Sequence, residues 1–170
     1  MNLKGFGAVL IIAGCTSVGF SIARTSRREA RILQNLIRAV IYMTSMLQYN
    51  LAPLPELCRQ AGHHTTGSVQ EILLNLAREL DWQLSPDVKS CMYEAIRKSR
   101  PIPDRIKRHF LHLGSSLGQF DVPGQIRELE SIQKNCEQDL LIMKSNLETR
   151  IRSYQTLGIC SGAALAILFI

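Results

Sequence analysis

Between Arg27 and Ile151 apolar residues recur every three or four positions, the spacing of one face of an α-helix, with no sustained period-two alternation. Arg27–Tyr49 places Leu33, Leu36, Ile37, Val40, Met43 and Leu47 on one stripe, and Pro53 and Pro55 stop it. A short helix, Pro55–Ala61, is expected to end at Gly62. Ser68-Val-Gln-Glu71 has the form of a capping box and opens a helix to about Trp82, with Val69, Ile72, Leu73, Leu76 and Leu80 inward. Ser85-Pro86, an N-cap followed by proline at the first helical position, starts a helix to about Arg97 that buries Val88, Cys91, Met92 and Ile96. Arg100-Pro-Ile-Pro103 breaks the chain again. Asp104–Leu117 carries Ile106, Phe110, Leu113 and Leu117 at helical spacing, with Gly118 as its stop. Asp121 caps a last helix through Ile126, Leu129, Cys136, Leu140, Met143, Leu147 and Ile151. Nothing interrupts it before Ile170, so it reads as a single rod about 70 Å long at helical rise. The chain is expected to be all-α: a six-helix body with short, antiparallel connections.

The two ends break the amphipathic pattern. Gly5–Ala23 and Ser153–Ile170 contain no charged residue, and all 14 acids lie between them, with every one of the 20 Lys and Arg except Lys4. At helical rise the two runs reach about 28 and 27 Å, the thickness of a bilayer's hydrocarbon core. The expected organisation is therefore a transmembrane helix at 5–23, a helical domain at 24–152 and a transmembrane helix at 153–170. The basic flanks orient it: Arg24, Arg27, Arg28 and Arg31 follow the first run, and Arg150 and Arg152 precede the second. Both votes put residues 24–152 in the cytoplasm, with both termini outside the cell membrane and the lipid bilayer as a partner. Two processing signals compete at the N-terminus. Ile12-Ala13-Gly14-Cys15 resembles a lipobox, and Ser21-Ile22-Ala23 resembles a signal-peptidase site. The apolar run continues past Cys15 and ends in a basic stop-transfer flank, which favours a retained span. Gly158, Gly162 and Ala166, and likewise Ala13, Ser17 and Ser21, form small-residue ridges. These either let helices approach closely in lipid or reflect the abundance of such residues in membrane helices.

Composition narrows the class. Aromatics are only 6%, which argues against a sandwich or barrel. The net charge of +6 does not point to nucleic acid, because the basic residues form no patch with interleaved aromatics. The cysteines (Cys15, Cys58, Cys91, Cys136 and Cys160) are odd in number and widely spaced, with no C-x-x-C pair. They read as reduced, buried thiols rather than a disulfide framework or zinc ribbon.

Several motifs tempt and fail. Gly114-Ser-Ser116-Leu-Gly118 satisfies G-x-S-x-G, but that chemistry needs a strand-to-helix turn and a later histidine. Here a helix precedes Ser116, and His63, His64, His109 and His112 all come earlier. A serine hydrolase using Ser116 is the weakest alternative. His109 and His112 lie at i, i+3 and could share a metal, but no Cys or acid sits one turn further, and Arg105 and Arg108 would repel a cation. They read as surface imidazoles, and His63 and His64 as solvated loop residues. Gly5-x-Gly7 lacks the third glycine and the preceding strand of a dinucleotide site. No catalytic residue, cofactor or metal is expected.

The opening Lys4-Gly-Phe-Gly-Ala-Val-Leu with Gly19-Phe20 and its basic flank resembles the start of the stage III sporulation protein AB family of spore-forming Firmicutes. So do Pro53-Leu54, the segment Phe110-Leu-His-Leu113-Gly114-Ser-Ser-Leu117-Gly118, and the long helix running into Leu157-Gly158 and the terminal apolar run. The resemblance covers essentially the full length. It implies a non-enzymatic platform subunit of a secretion-like channel complex in the mother-cell membrane around the forespore, with a cytoplasmic fold similar to type II secretion inner-membrane platform proteins. The implied partners are a secretion-type ATPase subunit and other membrane subunits of the same sporulation complex. A membrane-tethered adaptor of another pathway shares every feature read from the residues and stays open.

Overall fold

The computed structural model describes residues 25–49, 52–82 and 87–146 with their side chains, and residues 3–24 and 147–169 as helical backbone. Its six helices are α1 (Leu3–Tyr49), α2 (Leu54–His63), α3 (Ser68–Asp81), α4 (Val88–Arg97), α5 (Asp104–Ser116) and α6 (Val122–Phe169). No strand occurs among the described residues. α1 and α6 run unbroken for 47 and 48 residues, so the single rod expected at the C-terminus is present as one helix. Among the residues described with side chains, no helix is long and apolar enough to cross a membrane. The spans expected at 5–23 and 153–170 lie outside those residues.

The chain divides into two units. One, Glu29–Leu140, is the helical body. All six α1 residues of the expected stripe are buried there, Leu36, Val40 and Met43 completely. Also buried are Leu57, Cys58 and Ala61 of α2, Val69, Ile72, Leu73 and Leu76 of α3, Cys91, Met92 and Ile96 of α4, and Ile106, Phe110 and Leu113 of α5. α2, α3, α4 and α5 pack consecutively, as short connections require. α6 adds Leu129, Ile132 and Cys136; Ile126 and Leu140 are only half-buried. The other unit comprises residues 1–28 and 141–170. In it Met143 is buried, while Leu141 and Ile142 are exposed.

Three boundaries differ from the sequence reading. Gly62 does not end α2; it is buried inside it, where a Cβ would lie 3.1 Å from Leu74 Cδ2 on α3. Its lack of a side chain serves close helix approach, and the helix instead closes through His64 N–H donating to Gln60 O at 3.1 Å. The capping box at Ser68 does not form. α3 starts one residue earlier than the motif requires, so Gly67, at φ +70°, occupies the N-cap and Ser68 is already helical. Glu71 faces Arg100 across 3.5 Å rather than folding back on the cap. At α4, Asp87 is the extended residue before the helix and makes no side-chain cap bond; Ser85 and Pro86 lie outside the described residues. The α6 cap stands as expected: Gly124 N–H donates to Asp121 Oδ1 at 3.3 Å. Gly118, at φ +80°, turns the chain after α5, a conformation that disfavours any residue with a Cβ.

Polar ties join the body's helices where they enter and leave its turns. Asn35 Nδ2 donates to Thr66 O and Oγ1, and the Tyr42 hydroxyl donates to Gln60 Oε1 at 3.2 Å. Arg59 bridges Glu56 and Asp81, while Lys98 reaches the buried Glu79 at 2.6 Å. No buried side-chain nitrogen or oxygen among the described residues lacks a hydrogen-bond partner.

Candidate interaction surface

α5 is amphipathic in two respects. Ile106, Phe110 and Leu113 point into the core, while Arg105, Arg108, His109 and His112 recur at the same helical spacing on the other side. This basic stripe faces α6, which supplies Glu128, Asn135 and Asp139. Asp139 gathers two of its groups. Arg105 Nη2 donates to Oδ1 at 2.7 Å and Nε to Oδ2 at 3.2 Å, while His109 Nε2 lies 2.9 Å from Oδ2. An ionised carboxylate only accepts, so His109 carries its proton on Nε2 in this arrangement. The forked contact from Arg105 holds the Asp139 carboxyl down at about 2, with His109 adding to the effect against partial burial. Asp139 in turn raises Arg105 above its ordinary value, and Glu29 on α1 adds to that pull. One turn along, His112 Nε2 lies 3.1 Å from Glu128 Oε1.

The two histidines therefore serve different carboxylates and do not converge. His109 is no surface imidazole, with only 14% of its side chain exposed, whereas His112 is exposed at 44%. The partners lie 30 and 16 residues away, beyond the reach of local spacing. The signal that could have found them is the match between a basic stripe on α5 and acids spaced along α6. Among the described residues no three His, Cys, Asp or Glu side chains form a metal-ligand set.

Ser116 closes α5, buried, with its hydroxyl donating to His112 O at 2.9 Å. The preceding element is helical, so the strained strand-to-helix turn of a hydrolase serine is not built here. The glycine before it packs tightly: a Cβ on Gly114 would stand 2.6 Å from Met92 Cβ. His63 and His64 are both exposed, the His64 ring lying 4.2 Å from the Tyr42 ring. Cys58, Cys91 and Cys136 are all buried. Burial pushes Cys58 and Cys136 up to about 12, and neighbouring Asp139 and Glu137 add to the shift at Cys136.

Of the basic flank, Arg27, Arg28 and Arg31 are exposed on α1. Arg24, Arg150 and Arg152 lie on helical backbone outside the residues described with side chains, as do Gly158, Gly162 and Ala166.

Six helices, four of them short and packed consecutively between a long first and a long last helix in chain order, define an all-α helical-bundle protein. The sequence model of the stage III sporulation protein AB (spore_III_AB) family matches residues 4–170, and the chain belongs to that family. A solved structure, "Stage III sporulation protein AB (SpoIIIAB)", is similar in fold, with a TM-score of 0.62 at 14% identity. The alignment covers 71% of this chain and 97% of that one. No curated protein matches the chain.

Proposed function

We propose that this protein is a non-enzymatic platform subunit of a sporulation complex in the mother-cell membrane, coupling a cytoplasmic secretion-type ATPase to membrane subunits. The observation that carries this reading is the continuity of α1 and α6. Each passes without a helix break from the body to a charge-free end. A helix fixed at every residue by its i→i−4 bond transmits displacement and torque along its axis. The basic flanks, with Arg27, Arg28 and Arg31 exposed to solvent, support a cytoplasmic body between two retained spans. The family match, reaching from residue 4 to residue 170, supports the sporulation setting.

The test is a flexible joint. Inserting Gly-Gly after Thr149 costs about 2 kcal/mol of helix propensity, too little to unfold the body. The insertion strain is expected to show normal abundance and membrane insertion and to co-purify the same partners from detergent-solubilised membranes of sporulating cells, yet to be blocked in spore development. Wild-type sporulation at matched protein level would reduce the helices to tethers and refute the coupling. A partner set with no ATPase or sporulation membrane protein would move the chain to the adaptor reading.

A further inference from the structure

The α5–α6 surface of the body is a groove of about 400 Å³, lined by Arg105, Arg108, His109, His112, Asn135 and Asp139. Its hydrogen-bonding valences are unevenly used. Both Asp139 oxygens are taken by Arg105 and His109, and His112 is met by Glu128. Arg108 is exposed and has no carboxylate within ion-pair distance among the described residues, and Asn135 beside it is also exposed. What the groove leaves open is therefore donors: a planar guanidinium and a carboxamide, next to an imidazole held by a single exposed contact. Such a set selects an oxyanion. The groove already displays its preference, because every other basic group lining it rests on a carboxylate from α6.

Size favours a peptide over a lone ion. A space of 400 Å³ holds roughly a dozen waters, so one inorganic anion would leave most of it wet. On the other flank of α5, Lys107 lies 5.4 Å from the centre of the half-exposed Tyr93 ring. Resting on the platform reading above, we infer that the α5–α6 groove docks an acidic segment of a protein partner, with one carboxylate on Arg108 and Asn135 and a second displacing Glu128 from His112.

The test uses the full-length protein in detergent micelles, labelled at histidine and titrated at low salt with an N-acetylated tetraglutamate amide. His109 and His112 ring resonances should shift saturably while those of His63 and His64 stay in place. Arg108→Glu, an exposed substitution checked for unchanged helicity, should weaken binding at least about tenfold. Glu128→Gln, which removes the internal competitor, should tighten it about threefold. Arg27→Glu should leave it unchanged. Absence of saturable shifts, or equal weakening by Arg27→Glu and Arg108→Glu, would overturn the proposal. So would inorganic phosphate binding as tightly as the peptide, or peptide binding that disappears once phosphatidylglycerol is added, since either assigns the groove to phosphate oxyanions. Partner recovery by pull-down tests the platform reading separately. A full partner set recovered with Arg108→Glu would sink the docking site and leave the platform intact.

Discussion

Gly114 offers a direct measurement of how closely the body's helices approach. It sits in the last turn of α5, and a Cβ built there would lie 2.6 Å from Met92 Cβ and 2.9 Å from Met92 Cγ on α4. Unstrained carbon contacts lie near 3.5–4.0 Å, so Gly114→Ala must push the two helices apart by about 1 Å. Overpacking of this kind costs about 1–3 kcal/mol in a close-packed interior. Against it stands the helix-propensity gain of alanine over glycine, about 1 kcal/mol, reduced near a helix end. Strain wins, and a net loss of about 1–2 kcal/mol is expected. For a body of this size that lowers the melting temperature by about 5–10 °C. The assay is thermal unfolding of the full chain in detergent, followed by circular dichroism. Met92→Ala should not rescue the variant, because alanine keeps the Cβ that makes the nearest contact. Gly62→Ala is the comparison: its nearest neighbours are Leu74 Cδ2 and Cγ at 3.1 Å, on a half-buried side chain rather than at a helix-anchored Cβ. Its cost should be clearly smaller than that of Gly114→Ala, because Leu74 need give only a few tenths of an ångström. A Gly114→Ala protein melting at or above wild type would refute the close α4–α5 approach.

Three further outcomes follow from the same geometry. Gly118→Ala, forced to φ +80°, should cost about 1 kcal/mol even though its nearest neighbours stand at 3.5 Å or more, read by the same melt. Asp139 has its carboxyl lowered from 3.8 to about 2, so the stability it contributes is present above pH 4 and lost as pH falls toward 2. With a quarter of the side chain exposed this amounts to about 1–2 kcal/mol, and Asp139→Asn should remove it at neutral pH and flatten the acid limb of a pH–stability curve. Cys58, Cys91 and Cys136, buried and with Cys58 and Cys136 raised to about 12, should resist maleimide in a Cys15→Ser, Cys160→Ser background until the protein is unfolded. Rapid labelling of the native variant would contradict the buried placement.

The α1 stripe was legible because a period of 3.6 leaves little freedom: once Leu36 and Met43 face inward, Leu33, Val40 and Leu47 follow. The Asp121 cap was legible for the same local reason. Glycine and serine near helix ends were not. Gly62 and Gly118 look alike as letters, yet one sits inside a helix to admit Leu74 and the other supplies a positive φ beyond one. The difference is set by what packs across from each, which local sequence does not contain. At Ser68 a shift of one residue transferred the cap to Gly67 and freed Glu71 to meet Arg100. The α5–α6 cluster was hidden by distance. Spacing brought His109 and His112 together as a pair, whereas folding sent them to separate carboxylates.

That cluster also bears on how a helical body holds two long helices. The body begins at Glu29 on α1 and ends at Leu140 on α6. Arg105 bonds Asp139, one residue from the second limit, and is drawn by Glu29 at the first. A single side chain on α5 thus bonds α6 directly and lies within the field of an acid on α1. Its energy is not what matters most: charge-assisted bonds here are worth about 1.5–3 kcal/mol each before solvent screening, no more than one buried leucine. Direction is what separates the two kinds of contact. Leucine contacts along α1 and α6 favour burial but tolerate small sliding and rotation, because dispersion is nearly indifferent to angle. A guanidinium fork on a carboxylate is planar and fails when either partner turns. Within the body, the apolar residues of α1 and α6 therefore supply burial, and the Arg105–Asp139 fork fixes how α6 is turned on α5. The coupling proposed above requires that second property, since a rod free to roll at its base would deliver no torque at its far end.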